Sequence, residues 1–258
     1  MIIRHFASHA DRAQCVALQE LTWGAGFTEK IPAAMLLVAQ ETGGITAGAF
    51  ADDGTMLGFV FGVTGVRDGQ LIHWSDMLAV RPEARGQHIG EQLKAFQRAH
   101  CASLGIATIL WTYDPLVARN AHLNLNRMGA RVDTFVESMY GDSTNSPLQG
   151  DMPTDRFVVS WAVDPAAAAA ATTALPHGLP LAVDRDARDG TRDLAAQVGV
   201  RVPRDITALA AGDLAAARRW RFATRAAFQH YQSHGYRVTG FLADADGGTY
   251  VLARGSAT

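Results

Sequence analysis

The sequence predicts a mixed α/β (α+β) fold: one sheet with helices on both faces, followed by a small strand–helix–hairpin unit. Three observations carry this expectation. A meander of strand-like runs and then a strand–helix–strand–helix–strand–strand order fill residues 1–163. An alanine- and proline-rich stretch breaks the pattern at 164–180. A long one-sided helix and a hairpin pattern then occupy 181–258. The expected organisation is a domain over 1–163, a connector over 164–180 and a small α/β extension over 181–258.

Ile2 to Phe6 predicts a short edge strand, and Asp11 to Leu21 has helical spacing through Ala13, Val16, Ala17 and Leu21. A second helix over Ala33 to Gln40 is stopped by Gly43 and Gly44. Ile45 to Phe50 and Met56 to Val66 read as strands joined by a turn at Asp52-Asp53-Gly54. Leu71 to Val80 is the next strand, after a turn at Asp68-Gly69. Ile89, Leu93, Phe96 and His100 recur at helical spacing until Gly105. Ile106 to Thr112 is a short apolar strand, and a helix over Ala118 to Met128 ends at Gly129. Val132 to Met139 and Arg156 to Val163 are the last strands of the first part. The alanine tract from Asp164-Pro165 is either a short helix or a linker, ended by Pro176 and Pro180. Beyond Leu181 a strand–helix–strand–strand unit is expected. Its helix, roughly Asp213 to His234, carries Trp220, Thr224, Ala227, Phe228 and Tyr231 on one face, and its hairpin closes at Asp246-Gly247-Gly248.

Composition narrows the function classes. Hydrophobic residues make up 48% of the 258, enough for a sizeable core. A formal net charge of -2 gives no global case for nucleic acid or an anionic membrane. The two cysteines, Cys15 and Cys101, have no metal or redox spacing, so a reducing cytoplasm is expected. No signal peptide is read at the N-terminus. The longest mainly apolar run, Met56 to Val66, is about half of the ~20 residues that span a bilayer. Neither HxH nor HExxH occurs among the nine histidines; the HxxxH pair His5/His9 falls on a strand and turn, where the two need not share a face, and His230/His234 ends a helix with no carboxylate beside it. No metal is expected.

The most informative segment runs from Leu78 to Leu93. A strand ends at Val80, a basic glycine-containing turn follows, and a helix opens behind it, a layout that points backbone N–H groups at one small volume suited to phosphate. The spacing Gly86-x-x-x-Gly90, after the fourth strand, does not fit a dinucleotide fingerprint. A P-loop's Gly-Lys-Ser/Thr is absent.

This turn, Arg85-Gly86-Gln87-His88-Ile89-Gly90, preceded by Val80-x-Pro82-Glu83, resembles the pyrophosphate-binding loop of the GNAT superfamily of acyl-CoA-dependent N-acyltransferases, written Arg/Gln-x-x-Gly-x-Gly/Ala. His88 stands where the middle glycine is usual, which requires it to avoid a positive φ that its Cβ disfavours. Asn120-Ala-His-Leu-Asn124-Leu-Asn126-Arg-Met-Gly129-Ala130 is similar to the family's second CoA-contacting helix. The chain looks like a bacterial branch of that superfamily with a C-terminal extension.

The resemblance implies a mostly antiparallel sheet whose fourth and fifth strands splay apart. Acetyl-CoA or another acyl-CoA would lie in the gap, its pantetheine against the backbone of Leu78-Ala79-Val80 and its pyrophosphate on the amides of the 85–90 turn. A fourth-strand N–H would stabilise the oxyanion, and a substrate amine would attack directly.

Asp76, four residues before Val80, is the candidate base, against a reading as a solvated or salt-bridged strand acid; Ser75 and His73 are alternates of the opposite parity. The family's tyrosine acid position holds Leu125, so either the thiolate leaves with little acid help, a thiol's ordinary pKa being about 8.5, or Tyr140 or Tyr113 supplies the proton unless both are structural. Asn120 and Asn124, four apart, would share a helix face toward the pantetheine amides, or Asn120 would be an N-cap. Arg156 suits a substrate carboxylate, or forms a structural pair with Asp155. Arg218, Arg221 and Arg225 form a stripe read first as a solvated face. Its other uses would be the CoA 3′-phosphate, an anionic substrate, or a subunit contact in a homodimer.

The expected function is transfer of an acetyl, succinyl or other short acyl group to the amine of a small molecule, with an amino acid as a candidate acceptor. The alternative, kept open by Leu125, is a non-catalytic acyl-CoA-binding or regulatory module.

Overall fold

The computed structural model describes residues 1–141, 144–146 and 151–255. The chain forms two compact units that do not follow chain order. The first is built mainly from Met1–Trp111 with Ala162–Ala167, and the second from Thr112–Thr144, Leu148–Trp161 and Ala168–Thr258.

In the first unit, β1 (Ile2–His5), α1 (His9–Trp23), α2 (Ala33–Glu41), β2 (Ile45–Phe50), β3 (Met56–Arg67), β4 (Gln70–Val80), α3 (Ile89–Ser103) and the start of β5 (Thr108–Tyr113) follow in sequence. Strands β1 to β4 form the expected antiparallel meander, and β5 joins β4 in parallel. Two cores flank the sheet. Cys15 and Leu18 of α1 and Leu36 and Ala39 of α2 pack with Phe59, Phe61, Met77 and Ala79 on one face. Ile89 and Leu93 of α3 pack with Ile45, Ala47 and Val60 on the other, with Leu78 and Val80 against them.

Helix α1 is capped from both sides. Ser8 accepts from the Asp11 amide, and the Asp11 carboxylate accepts from Ser8 and from Ala7. Arg4 donates to both Asp11 oxygens and, with those amides, holds the carboxyl down at about 2. A depressed aspartate contributes stability above its ordinary range that is lost as pH falls through the folded value. Arg4→Gln is therefore expected to move the acid-unfolding midpoint of the full chain upward, read by circular dichroism against pH.

One irregularity shapes the site. Phe61 pairs with Met77 but Gly62 pairs with Ser75, so Asp76 is an extra residue on β4, a β-bulge. The bulge changes which face the side chains take. Met77 and Ala79 lie on the α1/α2 face, whereas Ser75, of the same parity, meets α3 through Lys94. Gly62 is required opposite it, because a Cβ there would sit 2.4 Å from His73 Nε2.

In the second unit, α4 (Ala118–Ala121) passes into a π-helical segment, His122–Arg127, where a regular helix was expected. The Met128 amide bonds back to the Leu123 carbonyl, five residues earlier. Strands β6 (Arg131–Val136) and β7 (Arg156–Ala162) pair antiparallel. A short 3₁₀ turn at Pro165–Ala167, belonging to the first unit, is the regular structure found where the alanine tract begins.

The tail is richer than the expected strand–helix–strand–strand. It runs β8 (Leu181–Val183), β9 (Gln197–Pro203), α5 (Ile206–Gly212), α6 (Leu214–Ser233), β10 (Tyr236–Asp244) and β11 (Gly247–Arg254), with sheet order β10-β11-β9-β8. Trp220, Thr224, Ala227, Phe228 and Tyr231 of α6 are all buried, as the stripe predicted. Phe228 packs edge-to-face on Phe157 at 4.7 Å and on Tyr250 at 5.6 Å.

Candidate functional site

The first unit brings the β4 candidates and the phosphate-type turn onto consecutive structure. The β4–β5 pairing runs through Ile72↔Thr108, His73↔Ile109 and Trp74↔Leu110, and ends there. From Ser75 to Val80 the β5-facing edge of β4 has no paired strand among these contacts, while β5 continues to Tyr113. Loss of pairing begins one residue before the bulge, so the two features form one break in the sheet.

Asp76 sits at this break. It is exposed by area, yet its carboxyl is pushed above the ordinary aspartate range. Surrounding protein disfavours the charge first, and the negative Glu29, on the connection between α1 and α2, adds to it. A hydrogen bond from the Trp74 indole partly offsets both.

Ser75 lies on the opposite face and is 4% exposed. Its Oγ accepts from Lys94 Nζ at 2.7 Å. Nζ also donates to Gln97 Oε1 at 3.1 Å, Gln97 Nε2 is 3.0 Å from His73 Nε2, and His73 Nδ1 is 3.1 Å from Thr64 Oγ1. The relay ends where Thr64 donates to the Gly43 carbonyl. Burial pushes the Lys94 amine down to about 7 and, with the Lys94 charge, His73 down to about 4. His73 is therefore a neutral, buried member of this relay. Lys94 was missed from sequence. Its signal is a lysine one place from the apolar stripe residue Leu93, with Gln97 one turn on.

The turn before α3 has the expected place and an unexpected strain. A 3₁₀ turn at Pro82–Ala84 leads through exposed Arg85, Gly86 (φ 81) and Gln87 to His88. His88 is the N-cap of α3 with φ 57 and ψ 20, the left-handed conformation that its Cβ was expected to exclude. No side chain caps the helix, so the first-turn amides of α3 take no side-chain acceptor at the cap. The His88 ring instead points to Glu91, 3.3 Å away. Ile89 is buried in the core, so it offers its backbone and not its side chain. A Cβ on Gly90 would make ordinary contact with Leu78 at 3.5 Å.

The left-handed conformation costs a non-glycine residue roughly 1–2 kcal/mol. His88→Gly is therefore expected to stabilise the chain by ~1 kcal/mol, a rise in melting temperature of about 2–4 °C, read by calorimetry.

The second unit holds the remaining candidates. Tyr140 OH is 3.1 Å from Thr112 Oγ1, and its ring lies under Arg156, 5.5 Å away. Tyr113 is buried against Tyr250, and burial pushes its phenol well above the ordinary tyrosine value, which makes it a poor proton donor. Leu125 is buried. Asn124 is 6% exposed, inside the π segment, and Asn120 lies in α4. The π segment breaks the four-residue repeat that would have set them on one face. Asn120 is not an N-cap, because α4 begins after Val117.

Arg156 does not pair with the Asp155 side chain. Its Nη1 donates to the Asp155 backbone carbonyl at 2.9 Å and stands 4.0 Å from Asp114. Asp155 is instead bound by Arg225, which also reaches Glu137. Arg221 is 1% exposed and holds Asp114 through two hydrogen bonds. The expectation of a solvated arginine stripe thus fails for two of its three members, and only Arg218 is exposed. Helical spacing shows that three residues share a face, and not what that face meets.

Among the described residues no group of three or more His, Cys, Asp or Glu could hold a metal, and no helix is long and apolar enough to cross a membrane. No protein-family model and no curated protein matches the sequence. Solved structures do match. An aminoglycoside 6'-acetyltransferase type Ii is 18% identical, with 64% of this chain and 99% of that one aligned at a TM-score of 0.50. Chaetomium thermophilum Naa20, crystallised with a bisubstrate analogue, is 18% identical over 63% of this chain and 86% of that one, at a TM-score of 0.51. The protein smu.2055 from Streptococcus mutans UA159 is 17% identical over 64% of this chain and 100% of that one, also at 0.51. Over about two thirds of its length the chain therefore has the fold of these structures, the GNAT-type fold expected from the sequence.

Proposed function

We propose that the protein is an acyl-CoA-dependent N-acyltransferase. The observation that carries this reading is the break in the sheet. Pairing of β4 with β5 stops at Trp74↔Leu110, β4 bulges at Asp76, and the strand then runs directly into the amide-rich turn at the start of α3. An extended pantetheine suits the free edge from Leu78 through Ala79 to Val80, and the pyrophosphate suits the amides of Arg85 to Gly90, aided by the helix dipole by ~0.3–1 kcal/mol.

Asp76 is the base that takes the proton of the attacking amine, since its raised pKa brings it closer to neutral pH. The acceptor is a small amine. An amino acid or another carboxylate-bearing amine is favoured by Arg156, whose nearest carboxylate, Asp114, is 4.0 Å away and already held by Arg221. The acyl group is acetyl, succinyl or another short chain. A cytoplasmic location belongs to the same proposal, because Cys15 and Cys101 are unpaired thiols.

The test is calorimetric titration with acetyl-CoA and succinyl-CoA, followed by thiol release on adding a panel of amino acids and polyamines. Binding followed by release with an amine supports the enzyme. Binding with no release for any amine favours the acyl-CoA-binding module that Leu125 keeps open. Absence of CoA binding rejects both.

A further inference from the structure

A departing CoA thiolate takes up a proton, and one of the two tyrosines expected to give it is held back by its surroundings. Tyr113 is buried, and burial pushes its phenol well above the ordinary tyrosine value. Leu125 has no proton to give. The first unit offers another donor. Ser75 is the first residue of β4 beyond its last pairing with β5, so its hydroxyl stands where the two strands part. Lys94 Nζ lies 2.7 Å from that hydroxyl and 4.5 Å from the ring centre of Trp111 on β5. The ammonium thus lies beside both strands at the split.

We propose that Ser75, backed by Lys94, delivers the proton to the sulfur of the departing coenzyme A. The proposal rests on the acyltransferase reading above. The amine nitrogen bonds to the thioester carbon, and the C–S bond breaks with its electron pair on sulfur. Sulfur takes the Ser75 hydroxyl proton, and Ser75 Oγ takes one from the Lys94 ammonium. The proton shed by the attacking nitrogen goes to Asp76, on the other face of β4, and Lys94 is recharged from solvent. Ser75 touches the leaving group. Lys94 is a positioning residue that acts through it.

The surroundings of Lys94 fit the task. Among the described residues no carboxylate pairs with it, which would trap the proton. The titratable groups near it are His73 on β4, neutral at working pH, and the buried thiol of Cys101 on α3, itself raised to about 12. His100 of α3 acts on His73. Gln97 holds Nζ toward Ser75 from one turn along the helix. Burial sets the amine near 7, close enough to a thiol's ordinary value of about 8.5 for transfer in either direction.

The experiment needs no acceptor. Free CoA is bound to the full chain, and its thiol is titrated by ultraviolet thiolate absorbance in wild type, Lys94→Gln and Ser75→Ala. The bound thiol is expected to titrate about one unit below 8.5 in wild type, a ~10-fold gain in thiolate at a given pH, because a neighbouring lysine favours the thiolate. Lys94→Gln is expected to restore the ordinary value, and Ser75→Ala to restore part of it. If both variants bind CoA with the wild-type thiol titration, the relay is overturned while the CoA site stands. If wild type binds no CoA, the acyltransferase reading itself falls. Should Lys94→Gln fail to fold, Ser75→Ala, which removes one hydroxyl, decides the matter: an unchanged titration overturns the proposal and a shift upward supports it.

Discussion

Arg221→Ala is expected to cost about 3–5 kcal/mol of folding stability, because it strands the Asp114 carboxylate without its partner. Arg221 is 1% exposed, and both of its terminal nitrogens are committed to that carboxylate. Asp114 is held below the ordinary aspartate range against the opposing effect of burial, with the Arg221 charge as the first stabilising cause. Arg156 remains near, but at 4.0 Å it does not replace two hydrogen bonds. Asp114→Ala should cost a similar amount by stranding the guanidinium. The paired change Asp114→Leu with Arg221→Met should recover most of the loss, since a buried ion pair replaced by packed apolar groups is often close to neutral. Denaturant unfolding of the four proteins measures this coupling. The buried Nε of Arg221 has no hydrogen-bond partner, a standing cost that the apolar pair would also remove.

The second large effect concerns rate and not stability. Asp76→Asn is expected to lower turnover about 10²- to 10⁴-fold, the usual worth of a positioned base. The pH profile adds a signed test. A base works only when deprotonated, and the pKa of Asp76 is raised by burial and by Glu29. Activity should therefore fall, on acidification, at a higher pH than an ordinary aspartate would allow. Glu29→Gln should move that limb toward lower pH. Stability should respond in the opposite sense to activity. A carboxyl raised in the folded state loses its contribution as pH rises through that value, so at pH 7 Asp76→Asn should leave the fold as stable or make it more stable. Full turnover with an unchanged profile in Asp76→Asn would exclude Asp76 as the base.

Much of the first unit was legible in the residue pattern. The β2 run Ile45–Phe50 is continuously buried, and its bounds follow from its bulk and from the glycines before it. Helix α3 follows from Ile89, Leu93 and Phe96. The bulge at Asp76 was not legible, because alternation along Leu71 to Val80 continues unbroken in sequence while the backbone slips by one place. Ser75 and Met77 therefore look alike and end on opposite faces. In the tail, β9 was missed although Val198, Val200 and Val202 alternate with polar or small residues. The short helix after Asp205 was missed as well, despite a cap whose carboxylate accepts from the amides of Thr207 and Ala208. The turn at 85–90 stands where the sequence puts it, between β4 and α3, but not in the conformation expected of it. A histidine in the left-handed region is a strained state that spacing alone does not disclose.

The pairing of Asp114 with Arg221 also sets a clock on biosynthesis. The two residues are 107 positions apart in the chain. At roughly 5–20 residues per second, a ribosome makes that stretch in about 5–20 s. In the later part of that interval Asp114, Asp155 and Phe157 are all synthesised, while Arg221, Arg225 and Phe228, which cover or neutralise them, are not. The nascent second unit therefore passes through a stage with unmatched acid and bare aromatic surface. Truncating the gene after residue 163 would make that stage permanent.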